Sequence, residues 1–193
     1  MELWDANKIL KNIVLLFVIL FVIKYTFSSD AFRSKDYKGK GFSVRKPAGW
    51  EMVLDDKDAG IFVTESMDSG GVTFLAPNKN TSSTQAPTRI SVYEAKLQTP
   101  AWVDDIFPEI IRVLVAYKAK IKDKGELKID GQISKWILYS LPGSRELFLE
   151  FFVADEKNGI FKLRLTGEPE GFMKYRKTFD DLRGSFLFSK ALF

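Results

Sequence analysis

The sequence predicts an α+β fold, in which an antiparallel β-sheet carries two packing helices and is preceded by one transmembrane helix. Three observations lead there. An unbroken apolar run lies near the N-terminus. Short alternating apolar runs bounded by Gly, Pro and Asp follow it, as strands of a meander do. Two later segments place their apolar residues at helical spacing. Strands and helices are segregated rather than strictly alternating, which favours an antiparallel sheet over βαβ units. The expected divisions are an N-terminal tail (1–8), a membrane anchor (9–27), a basic juxtamembrane linker (28–41) and the α+β domain (42–193).

The anchor is built on Ile13, Val14, Leu15, Leu16, Phe17, Val18, Ile19, Leu20, Phe21, Val22 and Ile23. With its flanks it reaches about 29 Å as a helix, enough for a hydrocarbon layer of about 30 Å. Lys11 and Lys24 would extend their charges to opposite headgroup layers. Tyr25 sits where interfacial aromatics gather. Arg33 and Lys35 continue a basic stretch suited to the membrane interface. The same run fits the apolar region of a secretory signal peptide. Ser29-Asp30-Ala31 is a poor cleavage site and Lys24 interrupts the approach, so a retained anchor is the favoured reading. A short tail before the span places the domain on the periplasmic or lumenal side. The lysines that follow the span argue for the cytoplasmic side.

The domain opens with Phe42-Ser-Val44, turns at Pro47-Ala-Gly-Trp50 and resumes at Met52 and Leu54. Further strands are expected at Ile61–Thr64, Val72–Pro77 and Arg89–Ala95. Asn78 to Pro87 reads as a polar loop. Val103, Ile106, Phe107, Ile110, Leu114 and Tyr117 then share one face of a helix. Thr99-Pro100 is expected to cap it, Pro108 to kink it, and Lys118, Lys120, Lys122 and Lys124 to form its basic end before Gly125. Asp130-Gly131 predicts a hairpin, Ile133–Leu141 a strand, and Asn158-Gly159 a second hairpin. Leu147, Leu149, Phe151 and Val153 fall on one strand face; Glu146, Phe148, Glu150 and Phe152 fall on the other. Phe172, Tyr175, Phe179 and Leu182 give the buried side of a helix from about Pro169, and Phe186–Phe188 closes the domain.

Composition narrows the chemistry. The 193 residues include 17 Phe, no Cys and no His, with a net charge of +4. Disulfides, thiolate nucleophiles, acylated cysteine and zinc fingers are excluded, as is the commonest general base. Asp56-x-Asp58-x-Gly60 lacks the distal Glu of a calcium loop, having Met67 instead, and reads as a turn. Asp104, Asp105 and Glu109 read as acids complementing a helix N-terminus. The lysine-rich stretch is interleaved with Asp123 and Glu126, which argues against nucleic acid. Asn80-Thr-Ser82 is a glycosylation sequon, a pattern common by chance. No catalytic residue, cofactor or metal site is expected.

Gly41-Phe42-Ser-Val-Arg-Lys-Pro47-Ala-Gly49-Trp50, with Leu182-Arg-Gly-Ser185-Phe186-Leu-Phe188 at the far end, resembles the PsbP-like domain family. That family includes photosystem II PsbP and the Mog-type and DcrB-type proteins. The resemblance covers about residues 41–189 and rests on element order. It implies an antiparallel sheet with packing helices and a role as an accessory, assembly or binding module. Family lipoproteins attach through an acylated Cys; here an apolar helix would take the lipid's place.

These readings lead to one expectation and two rivals. The expectation is a non-catalytic accessory or assembly subunit, anchored in the bilayer and docked on a larger membrane complex such as a photosynthetic or respiratory one. The candidate partner surface is Trp102, Trp136, Phe148 and Phe152, whose apolar excess invites a cover. One rival is a membrane-surface module binding a small ligand between sheet and helix. The other is a hydrolase using carboxylates or Ser.

Overall fold

Alternating strands give a sheet two apolar faces, and each face needs a cover. The computed structural model of the chain shows both covers in place. It describes residues 36–53, 71–77, 87–95, 102–155 and 159–189. All lie in the second of two compact units, Lys35–Phe193. The expected anchor and the interface residues Lys11, Lys24, Tyr25, Arg33 and Lys35 lie outside the described residues, as do the expected turn at Asp56–Gly60, the strand at Ile61–Thr64, the sequon and Thr99-Pro100. Among the described residues no helix is long and apolar enough to cross a membrane.

The elements run β1 (Asp36–Lys38), β2 (Phe42–Arg45), β3 (Glu51–Val53), β4 (Val72–Leu75), β5 (Arg89–Ala95), α1 (Val103–Ala116), β6 (Lys120–Ile129), β7 (Gln132–Ser140), β8 (Leu147–Asp155), β9 (Gly159–Gly167), α2 (Pro169–Gly184) and β10 (Leu187–Phe188). Among the described residues seven strands form one antiparallel sheet in the order β3-β4-β5-β9-β8-β7-β6. A smaller sheet has the order β1-β2-β10. This is the expected α+β class with an antiparallel sheet and two helices.

One face of the large sheet packs with α2 and the small sheet. Phe42 stacks on Phe186 at 5.8 Å and meets Phe161 edge-on at 5.4 Å. Phe179 reaches Phe151 at 5.7 Å, and Tyr175 sets its edge against Trp50 at 5.0 Å. Each buried ring of this kind contributes about 1.5–3 kcal/mol by leaving water. Much of the phenylalanine content is thus spent on one aromatic layer. The other face packs with α1, through Val103, Phe107, Ile110 and Leu114 against Ile137, Tyr139, Phe148 and Phe152.

Three expectations need correction. First, α1 ends at Ala116, and Lys120, Lys122 and Lys124 lie in strand β6 instead of a basic helix end. Lys118 takes a left-handed φ of 56°, which turns the chain out of the helix. Gly125 sits mid-strand opposite Trp136, where an added Cβ would come within 2.9 Å of the indole. It is needed for close packing, not for ending a helix. Second, α1 runs through Pro108, and its N-cap is Trp102. The Trp102 N–H donates to Asp105 Oδ2 at 3.2 Å, so Asp105 satisfies one of the orphan amides there. Third, the expected linker extends to Gly41, yet Asp36–Lys38 pairs with β2 as β1. The hairpins follow their turn residues. Asp130 and Gly131 both take positive φ, 46° and 79°, as a two-residue hairpin turn requires.

Candidate functional site

Cross-strand register builds an unusual feature on the α1 face. Thr73 lies opposite Ser91, Ser91 opposite Arg164, and Arg164 opposite Glu150. Four adjacent strands therefore carry a polar row through the middle of the sheet. Thr73 Oγ1 and Ser91 Oγ are 2.8 Å apart. Arg164 donates from Nε to Glu150 Oε1 at 2.6 Å, with Nη2 at 2.5 Å from the same oxygen. Lys162, one register step away opposite Tyr93, holds its Nζ 3.8 Å from that oxygen. The side chains of Glu150, Lys162 and Arg164 are 0%, 3% and 9% exposed, so all three charges are inside the protein.

The electrostatics follow from burial and pairing. Burial alone would raise the Glu150 carboxyl, but Arg164 and then Lys162 outweigh it and hold the group below its usual value. Burial pushes the Lys162 ammonium down to about 8, against the pull of Glu150. Arg164 is also desolvated, yet Glu150 keeps it firmly charged. Tyr139 is raised by burial and then by the adjacent carboxylate. Lys162 Nζ has no hydrogen-bond partner among the described residues and rests 5.2 Å above the Tyr93 ring. Two cations beside one anion leave this buried cluster with one excess positive charge whenever Lys162 is protonated. Closed off from solvent, the cluster specifies strand register and offers a substrate no approach.

A second feature lies at the sheet margin. α1 stops short of covering β6 and leaves an open groove of about 580 Å³ lined by Phe107, Pro108, Ile111, Lys124, Gly125, Glu126 and Lys135. Lys135 Nζ is 2.5 Å from Asp104 and 3.9 Å from Glu126, which fixes one groove wall by ion pairs. Glu109 pairs with Arg112 on the outer side of α1. Asp104, Asp105 and Glu109 are thus each engaged in a contact or cap that orders the helix.

The four residues expected to form a partner surface are not brought together. Trp102 is 52% exposed at the start of α1. Trp136 faces the α2 side and packs near Phe151 at 6.1 Å. Phe148 and Phe152 lie beneath α1, with Phe152 edge-on to Phe107 at 6.1 Å and Phe148 stacked on Tyr139 at 5.1 Å. The helix is the cover that those two rings invited. The alternation of β9 could have revealed the polar row, because Lys162, Arg164 and Thr166 share one face opposite Phe152, Glu150 and Phe148.

No family model matches the sequence, and no curated protein matches it. Solved structures do. Cyanobacterial PsbP (CyanoP) from Synechocystis sp. PCC 6803 is similar at a TM-score of 0.53 with 17% identity, covering 82% of this chain and 94% of that one. PA94 from Pseudomonas aeruginosa, described as a protein of unknown function and a candidate regulator, is similar at 0.54 with 12% identity, covering 82% and 98%. The fold is therefore PsbP-like. Neither neighbour is described as an enzyme.

Proposed function

We propose that this chain is a single-pass, membrane-anchored, non-catalytic accessory or assembly subunit whose PsbP-like domain docks on the soluble face of a larger membrane complex. The observation that carries the reading is the likeness of the folded unit to CyanoP across nearly the whole of that protein. The apolar run Ile13–Ile23 supports the anchor. Beneath the middle of α1, Tyr139, Phe148 and Phe152 fill the interior, and the opening between helix and sheet is an exposed groove beside β6 instead of an enclosed pocket, which supports docking over small-ligand binding.

Purification of the full-length chain in mild detergent tests the proposal. Co-migration with a larger assembly is the expected result. A lone monomer with no accompanying subunits would overturn it. Alkaline extraction of membranes checks the anchor separately, since an integral helix stays with the lipid pellet and a cleaved or peripheral form is released.

A further inference from the structure

We infer that the outer edge of β6 together with the groove beneath α1 is a docking site for an extended acidic segment of a partner protein, which adds to the large sheet as an eighth strand. The inference rests on the docking role proposed above and names the surface and the partner chemistry.

The backbone comes first. Among the described residues β6 is a terminal strand of the large sheet and pairs only with β7, so its other edge presents N–H and C=O groups that no described strand takes up. A bulge separates Ile121 from Asp123, and the ladder is regular from Asp123 to Ile129. That stretch offers about 20 Å of edge at about 3.3 Å per residue, enough for a short strand to pair.

Side chains then select the occupant. Lys120, Lys122, Lys124 and Lys128 are exposed along the strand, against Asp123 and Glu126. Glu126 is already near Lys135. A second copy of β6 paired antiparallel about Glu126 would set Lys124 against Lys128 and Glu126 against its twin, so that register repels. An incoming strand with acids opposite Lys124 and Lys128 would be attracted instead. The groove meets β6 from Lys124 to Glu126, with Phe107, Pro108 and Ile111 as its apolar wall. Because alternate residues of a strand share a face, the residue between the two acids on that face points at the groove. The recognised pattern is acid, any residue, apolar, any residue, acid.

The test uses full-length chain in mild detergent and a synthetic peptide with the core Glu-Thr-Leu-Thr-Glu. Hydrogen exchange should show new protection at β6 amides, and NMR should show shifts at Ile111 and Phe107. The exposed double variant Lys124→Glu/Lys128→Glu should weaken the peptide about tenfold, since two attractive pairs become repulsive. A Lys-Thr-Leu-Thr-Lys peptide should not bind. Equal binding of both peptides, protection elsewhere on the domain, or self-association through β6 would each overturn the inference. The co-purification assay separates the two claims. If the double variant retains every subunit that the wild type retains, the edge is not the docking surface and the accessory role stands. If the wild type purifies alone yet captures the peptide through β6, the accessory role falls and the edge site stands.

Discussion

The two faces of the large sheet are buried by different chemistry. Against α2 and the small sheet, the face is a layer of interlocking rings: Phe42, Phe161, Phe186 and Phe151. Against α1, the same strands carry Phe148 and Phe152 beside Glu150, Lys162 and Arg164. The ring layer is held by area removed from water and tolerates small shifts of one ring past another. The polar row is held by pairwise complementarity, and a slip of one residue would separate every partner. One face supplies stability; the other supplies register.

Breaking the polar row should have the largest effect. Arg164→Ala takes both short contacts from Glu150, leaves the buried carboxylate with Lys162 alone at 3.8 Å, and should cost about 5 kcal/mol in urea unfolding. The sharper version replaces all three charges with apolar residues, as Glu150→Leu/Lys162→Met/Arg164→Leu. Its stability should return close to wild type, because desolvation and attraction nearly cancel in such clusters. Phe161→Ala breaks the ring layer and should cost about 4 kcal/mol through lost transfer energy and a residual cavity. No second substitution on the ring side should restore it by removing a partner.

The faces should also differ in their response to pH. Lys162 titrates near 8 in the folded chain, against an ordinary value of 10.5. Between these values the unfolded chain holds the proton and the folded chain does not. Stability therefore rises with pH across that window, by about 3 kcal/mol for the full shift. Below 8 both states are charged and the penalty of burying the ammonium is complete. Urea midpoints from pH 7 to 10 should show the rise, and Lys162→Met should flatten it. The smallest effect is at the far end of the row. Thr73→Val removes a hydroxyl contact to Ser91 and should cost about 1 kcal/mol by thermal melting.

Much of this contrast was legible in the sequence, and its limits have physical causes. The alternation of β8 separated Leu147, Leu149, Phe151 and Val153 from Phe148, Glu150 and Phe152 correctly, because a strand's period is fixed. The partner of Glu150 was not legible, since Arg164 is on the next strand and only the hairpin register brings them together. The lysines from Lys118 to Lys124 suit a helix end and an exposed strand about equally, so their pattern alone does not separate the two. What decides their state is the ladder with β7, a tertiary fact. The expected partner surface failed to assemble for a related reason. Which of the apolar residues end up covered depends on the face that α1 takes, and that is a tertiary fact.

The small sheet has a consequence for biosynthesis. β2 lies between β1 and β10, so one of the first strands of the domain pairs with the last, Phe42 opposite Phe188. The Arg45 N–H also donates to Ser185 Oγ across 140 residues. A chain still on the ribosome cannot complete this pairing until Phe188 emerges, while β6 through β9 can form as successive hairpins much earlier. Until then Phe42 lacks its stack with Phe186, and β2 has an open side. Emergence of β10 is the event that closes the small sheet, and a nascent chain stalled before Phe186 would present an incomplete aromatic layer to chaperones and proteases.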